Sequence, residues 1–160
     1  MNPRDLLFTA DGRQTLRDLL FTFDGRVGRG KYWLAWLAWI VVVVLKLAMF
    51  FLLGWVPYLA ICLALIVGLL LLTSSVAVGI KRLHDRGKSG GWLFLFYLGP
   101  GVLGKIGDVM TGSIGVVFDL ASVAIFVWMI VELGCLRGTV GANNYGPDPL
   151  VAWPEQPATT

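Results

Sequence analysis

Four apolar stretches, separated by short polar or glycine-rich breaks, set the pattern of this chain. The first, about residues 32–53, carries Trp33, Trp36 and Trp39 at every third position and Lys46 as its sole charge. The second, about 58–80, holds 23 residues without a charge. About 20 apolar residues in a helix cross the roughly 30 Å of bilayer hydrocarbon, so both stretches predict membrane spans. Ala60, Ala64 and Gly68 lie four apart on the second, with Ser75 and Gly79 further along. Such a seam of small residues lets a neighbouring helix approach closely. The third stretch, about 92–106, is weaker. Its apolar start, Trp92–Tyr97, is interrupted by Gly99, Pro100, Gly101 and Gly104 before Lys105. It reads either as a short, kinked crossing or as a re-entrant segment. The fourth, about 114–136, is long enough to span but carries Asp119 and Glu132.

Composition agrees with the pattern. Charged residues make up 14% of the 160-residue chain and hydrophobic ones 57%, with a mean hydropathy of +0.76. A soluble domain carries about 25% charged residues. The net charge of +3 is small, and no basic run is dense enough to suggest nucleic acid as a partner. Arginines alternate with aspartates through residues 1–31, where a cleavable signal peptide would need an apolar core and a small-residue cleavage site. The first span is therefore expected to act as an uncleaved insertion signal. Cys62 and Cys135 stand alone in apolar runs without metal-ligand spacing. Neither a disulfide, a metal nor a cofactor is expected.

The positions of the charges then set an orientation. The segment before the first span holds six Lys/Arg and the turn between the second and third spans holds four, whereas residues 54–57 hold none and 104–113 only Lys105. Positive residues stay on the cytoplasmic side. The expected fold is an all-α integral membrane four-helix bundle, its third helix short or kinked and both termini cytoplasmic. Its domain organisation is an N-terminal extension at 1–17, a four-span membrane domain at 18–149 and a disordered tail at 150–160. The extension contains RDLLFTADGR at Arg4–Arg13, which recurs as RDLLFTFDGR at Arg17–Arg26. Two copies are too few for a solenoid, which needs at least three.

Three polar motifs punctuate the apolar runs: FTFDGRVGRGKYW at Phe21–Trp33, KRLHDRGKSGGW at Lys81–Trp92 and RGTVGANNYGPDP at Arg137–Pro149. In this order they resemble the signatures of domain-of-unknown-function family 805, the YhaH-like small bacterial inner-membrane proteins. Lys81 stands where that family usually has arginine, and Gly91 where a first tryptophan is common. The resemblance implies a multi-pass protein of the bacterial inner membrane and supplies no reaction.

The candidate chemistry is sparse. His84, the chain's one histidine, is followed by Asp85, and a carboxylate can orient a histidine that titrates near neutral pH. Neighbouring side chains on a helix diverge, however, and no nucleophile is placed beside them. No catalytic residue is assigned. All three motifs are expected at the cytoplasmic face, where Arg26, Arg29, Arg82, His84, Asp85, Lys88, Asn143 and Tyr145 form one cluster. Asp85 is expected to bond Arg26 or Arg29, with Asn143 and Tyr145 folded back over the turn. The cluster either locks the helix ends or holds an anionic phospholipid headgroup through Arg82 and Lys88. Lys46 and Asp119 fall at similar depths and are expected to form an intramembrane pair, since ionisable groups within the bilayer are costly and tend to pair. Glu132 is expected within reach of Lys81, Arg82 or Arg137.

These readings leave three functions open. The chain is a non-enzymatic membrane module binding a partner protein or anionic lipid; a small oligomeric transporter or channel using Lys46, Asp119 and Glu132; or a membrane enzyme acting on a lipid headgroup through His84 and Asp85. Its partners are the bilayer itself, anionic phospholipid, and other membrane proteins or further copies of the chain.

Overall fold

The structure is a computed structural model describing residues 16–53 and 55–150. The first repeat copy, Arg4–Arg13, and the tail from residue 151 lie outside the described residues. Five α-helices follow in order: α1 Leu16–Phe21, α2 Arg29–Leu52, α3 Pro57–Asp85, α4 Trp92–Val109 and α5 Ser113–Ile130, the last continued by a π-helical turn at Val131–Cys135. Three are long and apolar enough to cross a membrane: α2, α3 and α5 with its π turn. Their apolar side chains face outward all round, as with Phe51 (81% exposed) and Leu65 (68%). Helices this apolar on every side need hydrocarbon rather than water around them. The chain is a membrane protein.

The helices differ from the sequence expectation mainly at their ends. α3 does not stop at Ile80 but continues through Lys81–Asp85. Half of the polar KRLHDRGKSGGW segment is thus the last turn and a half of a helix, and only 86–91 forms the turn. Nothing in Lys-Arg-Leu-His-Asp opposes helix, and Gly87, at φ +70°, supplies the left-handed residue that commonly ends one. α4 runs unbroken to Val109 rather than stopping near 106, with Pro100 inside it. Pro100 has no N–H to give the Phe96 carbonyl one turn earlier, and its own carbonyl accepts from the Ser122 hydroxyl of α5 at 2.7 Å. α4 and α5 form the most extensive helix pair in the molecule.

The buried core sits at one end. Leu19 of α1, Tyr32 and Ala35 of α2, Val78 and Leu83 of α3, Leu93 and Phe96 of α4, and Met129 and Leu133 near the end of α5 all meet there, with Val27 between α1 and α2. Burying each large apolar side chain contributes about 1.5–3 kcal/mol where water is the alternative. Beyond Ala35, α2 buries none of its remaining residues. The small-residue seam of α3 is used only in part. Gly79 closes against the Leu93 side chain of α4, whereas Gly68 faces open space.

Candidate functional site

At the packed end α2 begins where α5 finishes. Trp33 Nε1 donates to the Gly134 carbonyl at 3.1 Å, and Arg29 Nη1 donates to the Cys135 carbonyl at 3.0 Å. The two helices are therefore antiparallel, and the end of α3 joins them. Asp85, the last residue of α3 and 2% exposed, occupies the centre. Its Oδ1 accepts from Arg26 Nε at 3.1 Å and Nη2 at 3.0 Å. Its Oδ2 accepts from Arg82 Nη1, one helical turn earlier. Arg29, the other expected partner, is turned to Cys135 instead.

Two guanidiniums on one carboxylate leave a surplus positive charge out of water. Backbone carbonyls absorb it. Arg82, fully buried, donates through Nε to Leu133 O at 2.7 Å and through Nη2 to Leu136 O. Arg26 donates through Nη1 to Gly141 O at 2.6 Å and Gly146 O at 3.3 Å, and through Nη2 to Thr139 O. Every nitrogen of both guanidiniums is engaged. The acceptors come from the last turn of α5 and the segment after it, the end where a helix carries partial negative charge. The π turn is what offers them: its wider ladder, with Leu136 N bonding Val131 O at 3.0 Å, aims Leu133 O and Gly134 O sideways at Arg82 and Trp33. Single π turns interrupt α-helices mostly where such local geometry is needed.

The 137–150 segment is folded over this centre. Thr139 donates to the Asp85 carbonyl from its N–H at 2.8 Å and its hydroxyl at 3.1 Å. A Cβ at Gly138 would fall onto the Asp85 carboxylate, so only glycine permits the approach. Asn143 Nδ2 donates to the His84 carbonyl at 2.9 Å and the Thr139 hydroxyl at 2.8 Å. Its Oδ1 accepts from the Tyr145 N–H at 2.9 Å. The Tyr145 ring stacks on the His84 imidazole, centroids 3.9 Å apart and planes within 5°, while His84 Nδ1 lies 3.3 Å from Gly25 O. The Asp148 carboxylate closes the segment by accepting from the N–H groups of Gly141 at 2.9 Å and Leu150 at 3.0 Å. Those two bonds hold its carboxyl below the usual range.

A second ion group flanks the first. Glu132 Oε1 accepts from Arg86 Nε and Lys88 Nζ, each at 3.0 Å. Lys88 also sits over the rings of Trp92 and Trp128, 5.3 and 5.8 Å from their centroids, where the ring faces attract a cation. Glu132 thus takes Arg86 and Lys88 rather than Lys81, Arg82 or Arg137. Lys81, fully buried, turns the other way and donates to Asp18 O and to Leu19 O at 2.6 Å, capping α1. The capped helix belongs to the repeat copy at Arg17–Arg26, and the sequence carries no signal for this contact.

The structure therefore brings Arg26, Arg82, His84, Asp85, Asn143 and Tyr145 into one assembly, with Arg29 and Lys88 at its margins. We refer to it as the clasp. His84 and Asp85 are directed to different partners, so they do not form a catalytic dyad. The expected Lys46–Asp119 pair is not brought together. Lys46 lines a crevice between α2 and α3, whereas the Asp119 carboxylate lies over Gly107 of α4. No group of three or more potential metal ligands occurs among the described residues.

Comparison with known proteins sets the clasp in a family. The model of a family described as a protein of unknown function (DUF805) matches residues 20–147, a stretch containing every clasp residue. The chain belongs to that family. It is 38% identical over 82 residues to the uncharacterized protein YiiR of Escherichia coli strain K12 and to its counterpart in strain O157:H7. Each match covers 49% of this chain and 54% of the relative, so the chain spans about half the length of the curated relatives it matches. No solved structure matches.

Proposed function

We propose that this family member is a non-enzymatic, four-span module of the bacterial inner membrane, with both termini cytoplasmic and the clasp on the cytoplasmic face. The clasp locks the helix ends and holds the 137–150 segment as a fixed surface, which meets anionic phospholipid headgroups. One observation carries the non-enzymatic reading: all three nitrogens of Arg26 and of Arg82 are engaged within the chain, by Asp85 and backbone carbonyls. A ligand would have to break that network to reach them. Removing partners from buried charges costs about 3–5 kcal/mol.

The headgroup contact is accordingly reassigned from Arg82 and Lys88 to the exposed cations beside the clasp. Arg29, Lys31 and Arg137 are all exposed at this end, next to Trp33 and Trp36, aromatic residues of the type enriched at membrane interfaces. Each basic residue near an anionic leaflet contributes about 1 kcal/mol of attraction. Native mass spectrometry of the protein released from membranes tests this. Wild type should retain phosphatidylglycerol, and the Arg29→Ala, Lys31→Ala, Arg137→Ala variant should lose most of it. Equal retention in a folded variant would remove the lipid-binding reading.

A further inference from the structure

Lys46 and Asp119 remain as charges that the fold does not explain. Lys46 lies six residues before the end of α2 at Leu52, and Asp119 six residues after the start of α5 at Ser113. Because α2 and α5 are antiparallel, both fall at the end of the molecule away from the clasp. At 1.5 Å per residue each lies about 9 Å inside its helix end. They share a layer of the membrane but not a helix pair, and neither forms an ion pair among the described residues. The other charges of this end, Lys105 and Asp108, bond each other at 3.0 Å.

The two surroundings are complementary. Lys46 is half-buried in an apolar crevice of about 160 Å³ between α2 and α3, floored by Ala60, Leu63 and Ala64. Asp119 is exposed at the α4-facing edge of α5, its carboxylate over Gly107, beside a ridge of Val116, Leu120 and Val123, which are 55, 64 and 57% exposed. One face is a groove with a cation, and the other is a ridge with an anion at the same depth. We propose that they are two halves of one interface: the α5 ridge of one copy seats in the α2–α3 crevice of a second copy, pairing Asp119 with the partner's Lys46. Any rotation axis along the membrane normal keeps the two charges at one depth. In hydrocarbon, where apolar surfaces gain little by meeting, such polar pairs drive helix association. The proposal depends on the chain spanning a membrane, and not on the clasp or its lipid.

A complementation experiment in liposomes tests it. Chains carrying Lys46→Met or Asp119→Asn should each self-associate about tenfold more weakly than wild type, read by energy transfer between labelled copies. Mixed together, they should recover association, because one copy retains Asp119 and the other Lys46. A second test leaves both charges in place. Met49→Cys and Val116→Cys sit one turn from Lys46 and Asp119, toward the same end, in chains whose Cys62 and Cys135 are changed to alanine. Copper-phenanthroline should link a Met49→Cys chain to a Val116→Cys chain. Monomeric wild type, association indifferent to both substitutions, or no cross-link would each overturn the interface. If Lys46 instead met a lipid phosphate, Asp119→Asn would leave association unchanged and the mixture would show no recovery, which also overturns it.

Discussion

Arg26 grips Asp85 with two nitrogens across 59 residues of chain, at 3.0 and 3.1 Å, with both side chains almost wholly out of solvent. The same carboxylate takes Arg82 on its other oxygen. Losing Asp85 therefore strands two guanidiniums, whereas losing Arg26 leaves Asp85 still bonded to Arg82. Asp85→Asn should cost about 3–5 kcal/mol in detergent unfolding, and Arg26→Met distinctly less. Equal costs would mean that Arg82 does not share the charge. Arg26→Lys should behave like Arg26→Met, because an ammonium cannot reproduce the guanidinium fork.

Gly138 lets the 137–150 segment lie against the Asp85 carboxylate. Gly138→Ala should displace that segment while leaving the helices intact. Limited proteolysis should then cut between Arg137 and Leu150, with circular dichroism unchanged. A variant as protease-resistant as wild type would show that the approach is looser than the structure has it.

Four crossings with both termini inside predict reporter fusions that signal cytoplasm after Lys88 and again after Pro149. A periplasmic signal at Pro149 with a cytoplasmic one at Lys88 would mean that α4 enters and leaves on one face. The test bears on α4 in particular, since its glycines, Pro100, Lys105 and Asp108 keep it outside the set of clearly spanning helices.

Much of this was legible in the sequence, for identifiable reasons. Uncharged runs such as Tyr58–Ile80 have few alternatives to a span, so α2, α3 and α5 follow from hydropathy. The meeting of Asp85 with Arg26, and of His84 with Asn143 and Tyr145, follows from antiparallel helices whose polar ends share a side. Rotation about a helix axis is different: it depends on packing that no single stretch encodes. This is why Lys46 and Asp119 fall on separate helix pairs, and why Glu132 takes Arg86 and Lys88. The π turn at Val131–Cys135 was invisible, since Val-Glu-Leu-Gly-Cys has nothing to distinguish it from α-helix. Lys81 capping α1 was equally hidden, because it rests on where a short helix docks.

The motif residues hold the 137–150 segment onto the helix ends. Hydrogen exchange by mass spectrometry, on the full chain in lipid nanodiscs, measures this directly. The backbone N–H groups of Thr139, Gly141, Asn143 and Gly146 are all bonded within the clasp. In wild type they should exchange slowly, and in Asp85→Asn at rates near those of an unstructured chain, while α3 and α5 stay protected in both. Rapid exchange across 139–146 in wild type, unchanged by Asp85→Asn, would contradict the account.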